Sequence, residues 1–387
     1  MDLKNKPRAL VLASVASMID QFNMDNIDIL LHMGCEVDVV ANFREPGTIS
    51  QNRASECRKR LQRKGVRVCN IEMPRSIRRV KNIVASYQMM RKICEHRKYD
   101  LIHCQSPIGG VITRLAARKI RENGCTVIYT AHGFHFYDGA PMLNWMLYYP
   151  IEKYCSKYTD VLVTINEEDY RIAKNRFYAK SVSRIPGVGV DTELFKPVVN
   201  PVNKVEKRRE IHVPENAVMI LSVGELNDNK NQQLIIRTIA QMHDENIHYV
   251  IAGVGDNREQ LEKLISELHI DAYVHLLGYR TDIADLDNSA DIFAFPSKRE
   301  GLGMASLEAL ACGTPVVGMN IRGIREYVIP GKTGELFDDN PDSCQKAISD
   351  VIGKKNEMQR DCIETAQKFS LCRTKSIMEH IYKEALS

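Results

Sequence analysis

The chain has 387 residues, 44% of them hydrophobic and 26% charged. That is a globular composition too long for one hydrophobic core, because single cores stop growing at about 250 to 300 residues. Two domains are expected, a spanning helix of roughly 18 uninterrupted apolar residues is excluded, and the opening MDLKNKPRALVLASVASMID lacks the tripartite form of a secretion signal, so the cytoplasm is the expected location.

Eleven cysteines lie singly, without a CxxC pair or a histidine-cysteine cluster, which suggests neither a disulfide framework nor a structural zinc site. Net charge is +4, yet residues 1–190 hold 30 Lys+Arg against 18 Asp+Glu, a balance of +12, while residues 191–387 hold 23 against 31, a balance of −8. The excess gathers at Arg53, Arg58, Lys59, Arg60, Arg63, Lys64 and Arg67, then Arg75, Arg78, Arg79 and Lys81. Such a face suits anionic lipid head groups, a diphosphate or nucleic acid, and equally a solvated helix surface.

In chain order, short apolar runs alternate with helical patterns, as in parallel sheets wrapped by helices. The first half places strands at Ala9–Val15, Val37–Ala41, Val66–Ile71, Leu101–Cys104, Val127–Ala131, Val161–Ile165 and Val182–Ile185, with Gly34 and Gly124 as left-handed helix caps. A polar stretch from Pro186-Gly187 through Phe195-Lys196-Pro197 to about Pro214 reads as hinge and linker. Strands then resume at Val218–Val223, Tyr249–Ala252, Val274–Leu277, Ile292–Phe295 and Pro315–Val317. Helices are expected at Gln232–Met242, Arg258–Leu268 and Met304–Ala311, and three more close the chain at Pro341–Gly353, Glu357–Phe369 and Ile377–Leu386. The expected architecture is α/β, two facing Rossmann-like domains with a cleft: residues 1–190, residues 191–370, and a helix in 371–387 packing back on the first. Ligands of such sheets bind beyond the carboxyl ends of the strands.

One block carries the strongest chemical signal, Phe295-Pro296-Ser297-Lys298-Arg299-Glu300-Gly301-Leu302-Gly303-Met304-Ala305-Ser306-Leu307-Glu308-Ala309-Leu310-Ala311-Cys312-Gly313-Thr314-Pro315. It reads as strand, glycine-bearing loop, small-residue helix and turn. The amides near Gly303, Met304 and Ala305 would open the helix, where a phosphate is held favourably. Glu308 is a carboxylate among apolar neighbours and needs donors, which ribose hydroxyls would supply. Glu300 could accept from the hydroxyls of a sugar. The spacing alone leaves open the plainer reading, with Glu308 a partly exposed helix residue and Glu300 a loop carboxylate near Arg299.

Glu300 and Glu308 in the setting EGLGMASLEALACGTPVV resemble the signature of glycosyltransferase family 4, retaining nucleotide-sugar transferases of the GT-B type. Ser222 to Leu226 with Gly224, then Lys230-Asn231, resembles the first strand and loop of that family's C-terminal domain. Ile251 to Asp256 with Gly255, Leu277 to Asp282 with Arg280, and Gly331 to Gly334 resemble later segments. Tyr129 to Phe136 with His132, followed by Leu143 to Lys153, is similar to the branch that builds capsule and exopolysaccharide. Three positions depart: Glu225 stands where an arginine is usual, Ser14-Val15-Ala16-Ser17 where glycines are frequent, and Gln105 where a second histidine is frequent.

The resemblance implies an acceptor-binding first domain and a donor-binding second one. It implies that His132, Glu300 and Lys230 act on the reacting groups, while Glu308, Gly303, Met304, Ala305, Gly224, Gly255 and Arg280 hold the donor. A UDP-sugar carrying a hexose or N-acetylhexosamine, a polyprenyl diphosphate saccharide as acceptor, an anionic membrane surface and no nucleic acid are the expected partners. No metal or other cofactor is expected, since no histidine cluster is present. The alternatives are a nucleotide-sugar 2-epimerase of the same fold, a non-catalytic nucleotide-sugar-binding protein, and a nucleic-acid binder acting through the basic stretch.

Overall fold

Seven parallel strands build one sheet and six build another, each with helices in its crossovers. The computed structural model describes residues 6–74, 76–198 and 201–387. The chain divides into two units, Met1–Val188 with Thr374–Ser387, and Gly189–Arg373.

The first unit runs β1 (Arg8–Val15), α1 (Ala16–Phe22), α2 (Met24–His32), β2 (Glu36–Asn42), α3 (Gln51–Arg63), β3 (Arg67–Asn70), α4 (Val80–His96), β4 (Leu101–Gln105), α5 (Pro107–Glu122), β5 (Thr126–Ala131), α6 (Met142–Cys155), β6 (Val161–Thr164), α7 (Glu167–Arg176) and β7 (Ser181–Arg184). The second runs α8 (Pro201–Glu210), β8 (Val218–Val223), α9 (Gln232–Met242), β9 (Ile247–Ala252), α10 (Arg258–Glu267), β10 (Val274–Gly278), α11 (Ile283–Ser289), β11 (Ile292–Phe295), α12 (Met304–Ala311), β12 (Val316–Met319), β13 (Gly334–Phe337), α13 (Pro341–Ile352) and α14 (Lys355–Gln367). Helix α15 (Leu371–Leu386) belongs to the first unit from Thr374 onward. There Tyr382 is wholly buried, and the Ala385 carbonyl accepts from Thr126 Oγ1 at 2.9 Å.

Strand orders are β3-β2-β1-β4-β5-β6-β7 and β10-β9-β8-β11-β12-β13. Each reverses direction of growth once, at β1/β4 and at β8/β11, and ligands of doubly wound sheets bind at that point. Helices cover both faces, so central strands bury every side chain, as with Ala9 to Ala13, all 0% exposed. That explains the uninterrupted apolar runs in the sequence.

Three elements differ from the sequence expectation. The polar stretch taken as linker contains α8, because Arg208 is buried and its guanidinium holds the Asp291 carboxylate at 2.6 Å and the carbonyls of Ser289, Glu215 and Ala217. The short α11 was not foreseen, and β13 begins in the segment read as a turn. Gly334 starts that strand because a β-carbon there would stand 1.7 Å from the Val316 carbonyl oxygen.

The basic run on α3 is largely paired. Arg53 and Arg60 both reach Asp20 at 2.6 Å, Lys59 reaches Glu56 and Lys64 reaches Asp28. Arg75 lies outside the described residues.

Helix α6 is pinned to α5 by a buried ion pair, Arg114 Nη2 to Glu152 Oε2 at 2.7 Å, with the guanidinium 3.8 Å over the Tyr129 ring and the Tyr129 hydroxyl donating to Glu152 Oε1. Removing one member of such a pair strands the other charge in the interior. Arg114→Met is therefore expected to lower stability by about 3–5 kcal/mol, read as a fall in the urea unfolding midpoint; an unchanged midpoint would refute this account of the junction.

Candidate active site

In the second unit the loops after β8 and β11, the two strands at the reversal, are stitched together. Lys298 N–H donates to the Asn229 carbonyl at 2.8 Å, and Asn229 Nδ2 donates to the Arg299 carbonyl at 3.1 Å. The β8 loop also crosses the β9 loop backbone against backbone. A β-carbon on Gly253 would lie 1.8 Å from the Gly224 oxygen, and one on Gly255 would lie 2.3 Å from the Leu226 oxygen. Only glycine permits that approach.

The bare surface of Gly224 accommodates Lys230, whose methylenes would sit 3.4 to 3.8 Å from a β-carbon placed there. Lys230 Nζ ends 4.9 Å above the Phe295 ring and bonds Glu300 Oε1 at 2.5 Å. Both partners are half-buried, and a charge-assisted bond of this length in a sheltered site is stronger than its surface counterpart. Asn227 Oδ1 accepts the Lys230 N–H at 3.0 Å, which fixes the turn into α9.

Gly303 introduces α12 with φ +89°, and a β-carbon would press to 2.6 Å from Phe295 and 2.8 Å from the Tyr327 hydroxyl. That hydroxyl donates to the Leu302 carbonyl at 2.9 Å and bonds Ser306 Oγ, locking the loop onto the helix start. The N–H groups of the first turn of α12 have no acceptor within the helix and face the positive end of its dipole. On α12 the side chains of Ser306, Leu307, Ala309, Leu310 and Ala311 are buried, whereas Met304, Ala305 and Glu308 keep partial exposure. At i, i+1 and i+4 these form one stripe. Burial pushes the Glu308 carboxyl up to about 7. On α11, Asp287 is wholly buried with neither side-chain oxygen hydrogen-bonded, and burial, then the Glu308 charge, push its carboxyl well above the usual range.

Thus Lys230, Glu300, Gly224, Gly255, Gly303, Met304, Ala305 and Glu308 are carried by loops and a helix at one sheet reversal. Arg280 is engaged elsewhere: its guanidinium bonds Asp282 twice, at 2.8 and 2.5 Å, and Glu210 at 2.6 Å. Glu225 is exposed, and its carbonyl accepts from Gln232 Nε2 at 3.0 Å.

His132 lies in the first unit, just past β5. Its Nε2 is 2.6 Å from Gln105 Oε1. Gln105 Nε2 donates to Asn23 Oδ1, and Asn23 Nδ2 donates to the Met18 carbonyl at 2.8 Å. A carbonyl can only accept, so the chain of bonds runs one way and assigns the proton to His132 Nε2, leaving Nδ1 as an acceptor. Burial lowers the His132 pKa to about 4, so the ring is neutral at pH 7. Behind it His103 bonds Thr130 Oγ1 at 2.8 Å and the Tyr382 hydroxyl of α15 at 2.6 Å. Gln105, which stands where a second histidine is frequent, was not foreseen as the hydrogen-bond partner of His132. Strand alternation sets His103 and Gln105 on one side of β4.

Among the described residues no group of three or more His, Cys, Asp and Glu side chains is placed to hold a metal ion, and no helix is long and apolar enough to cross a membrane.

Comparison with known proteins adds to this geometry. Residues 203–369 match the family described as glycosyl transferases group 1, and residues 47–166 match that described as glycosyl transferase 4-like. The chain is 39% identical over 306 residues to EpsD of Bacillus subtilis (strain 168), named as a glycosyltransferase, covering 77% of this chain and 80% of that one. It is 29% identical over 296 residues to the Escherichia coli UDP-Gal:alpha-D-GlcNAc-diphosphoundecaprenol alpha-1,3-galactosyltransferase, covering 74% of each. Among solved structures, HepE of Anabaena in complex with UDP and glucose aligns with TM-score 0.72 at 19% identity, over 97% of this chain and 100% of that one. Sucrose-phosphate synthase of Thermosynechococcus elongatus aligns with TM-score 0.75 at 18% identity, over 98% and 99%. Such distant structural likenesses speak for the fold alone.

The His132 network makes a measurable claim. Gln105→Glu sets a carboxylate against the imidazole, which favours its charged form. The His132 pKa is expected to climb from about 4 toward the ordinary 6.5, followed by NMR of the imidazole against pH; an unmoved titration would show that Gln105 is not its partner.

Proposed function

The chain belongs to glycosyltransferase family 4, the group 1 glycosyl transferases of GT-B fold, and we propose that it transfers a hexose or N-acetylhexosamine with retention. The donor in this reading is a UDP-sugar. The acceptor is a saccharide on polyprenyl diphosphate, met in the cytoplasm at the inner face of the plasma membrane during surface polysaccharide synthesis. Two names support these choices: HepE was solved with UDP-glucose, and the Escherichia coli relative is named for UDP-Gal and a diphosphoundecaprenol substrate.

The observation that carries the reading is the Lys230–Glu300 pair on the loops that also position the start of α12. A donor diphosphate set at that helix start would meet the amides of Met304 and Ala305 and compete with Glu300 for Lys230. Glu300, so released, accepts from sugar hydroxyls, while Glu308 accepts from the ribose. The bond from the anomeric carbon to the diphosphate then breaks, with its electron pair going to the leaving oxygen, where Lys230 and the amides stabilise the growing charge. The acceptor oxygen bonds the same face of the sugar, and its proton passes to the departing phosphate. In this account the leaving charge is met without a divalent cation, so transfer persists in EDTA.

The decisive experiment incubates the protein with a panel of UDP- and GDP-sugars and a membrane lipid extract, and asks which donor yields a new glycolipid with its anomeric configuration kept. An inverted product, or donor conversion needing no acceptor as a 2-epimerase would show, defeats the reading. Lys230→Ala is expected to lower kcat about 100- to 1,000-fold, the cost of losing one stabiliser of a developing anion. Glu308→Gln should raise the donor KM about ten- to hundredfold through a lost charge-assisted bond.

A protonation signature accompanies binding. With its pKa near 7, Glu308 is mostly protonated at pH 6, and ribose hydroxyls donating to it favour the carboxylate. Binding of a UDP-sugar, whose diphosphate has no ionisation near this pH, is therefore expected to release a proton at pH 6, read by calorimetry in buffers of different ionisation enthalpy, and Glu308→Gln should abolish the release.

A further inference from the structure

Helix α6 exposes the wrong face for a water-bathed helix. Its exposed positions are Met142, Leu143, Met146, Leu147, Ile151 and Tyr154, together with Pro150. Met142, Leu143 and Met146 are 74, 70 and 71% exposed. Positions spaced by four fall on one stripe, so a helix that is apolar on both sides packs Trp145, Tyr148 and Tyr149 on the core and leaves its other apolar side uncovered. It cannot simply roll over. The other side is fixed by Glu152 to Arg114, by Asn144 Nδ2 donating to the His135 carbonyl at 3.0 Å, and by Trp145 Nε1 donating to the Tyr137 carbonyl at 3.2 Å.

Cations and aromatic rings border the stripe. Lys153 lies 5.4 Å and Lys157 5.3 Å from the Tyr178 ring, and the Arg176 guanidinium lies 5.9 Å from Trp145. Nearby, a cavity of about 250 Å³ with an almost wholly apolar lining includes Ile77 and Ile151, both exposed at its edge. Beyond Ile77 the chain continues through Arg78, Arg79 and Lys81, all exposed. An apolar strip bordered by tyrosine, tryptophan and lysine has the composition of a helix lying in the head-group region of a bilayer.

We infer that the α6 face is the seat of this protein on an anionic lipid bilayer. The inference rests on the proposed lipid-linked acceptor and names the surface that meets the lipid. It moves that surface away from the α3 stretch, where Arg53, Lys59, Arg60 and Lys64 are engaged by Asp20, Glu56 and Asp28.

The chain carries its own reporter, because Trp145 on α6 is its single tryptophan. The full chain is mixed with vesicles of phosphatidylcholine alone, or of phosphatidylcholine and phosphatidylglycerol in equal parts, and followed by Trp145 emission and co-sedimentation. A blue shift and co-sedimentation with the anionic vesicles, both weakened by salt, are expected. The double variants Met146→Asp with Leu147→Asp, and Lys153→Glu with Lys157→Glu, alter exposed or edge side chains and should each lower partition at least about tenfold, with circular dichroism unchanged. Lys59→Glu on α3 should bind like the wild type. Failure to co-sediment with the anionic vesicles, variants that bind as the wild type does, or a dimer that closes the face in analytical sedimentation would overturn the inference. UDP-sugar hydrolysis without lipid is measured alongside: if vesicle binding fails while donor is still consumed, the seat falls and the proposed reaction survives.

Discussion

A missing side chain sets the geometry of the second unit. Where the β8 and β9 loops cross, the Gly224 oxygen occupies the space of a β-carbon on Gly253, and the Leu226 oxygen that of one on Gly255. Backbones packed this closely cannot slide, because any larger residue would force them apart. The fixed crossing leaves Gly224 as a bare shelf, and Lys230 lies along it to reach Glu300 from the neighbouring loop. The ion pair is thus the visible end of a constraint made by glycines. The same logic recurs at Gly303, where the absent β-carbon admits Phe295 beneath the lysine and the Tyr327 hydroxyl beneath the helix start.

Burial then decides charge. His132 is held neutral, Glu308 is half-ionised near pH 7, and burial, then the Glu308 charge, push the Asp287 carboxyl well above its usual range. An uncharged acid avoids the large cost of an isolated buried ion. Groups at both candidate sites therefore wait in low-charge states, and a polar ligand that donates to Glu308 changes its ionisation as it binds.

The strands were legible because helices cover both faces of each sheet, so burial writes unbroken apolar runs such as Ile292–Phe295 and Val218–Val223. Helix α8 was hidden because its anchor is Arg208, a residue type that reads as solvated until Asp291 is seen beside it. The Glu300 and Glu308 spacing marked a loop and helix that the structure sets at the β8/β11 reversal. Arg280 is held by Asp282, two residues away, and by Glu210, seventy residues earlier, and composition gives no hint of that second pairing. Gln105 was discounted as a replacement for histidine, although an amide can pass a hydrogen bond in one direction and so select a tautomer. The face of α6 was invisible for a different reason: a run such as MLNWMLYYPIEKYC declares that the helix is apolar, not which side the fold leaves uncovered.

The interior of the first unit is completed by residues from far downstream. Tyr382, wholly buried, closes the row that leads through His103 and Gln105 to His132, and the carbonyl of Ala385 takes the Thr126 hydroxyl. All of Gly189–Arg373 is made between these partners. During translation, then, the early residues must wait at the ribosome with an unfilled slot for as long as the intervening stretch takes to emerge, roughly ten seconds or more at 5–20 residues per second. The order of synthesis thus runs against the order of assembly, and the histidine's surroundings mature last.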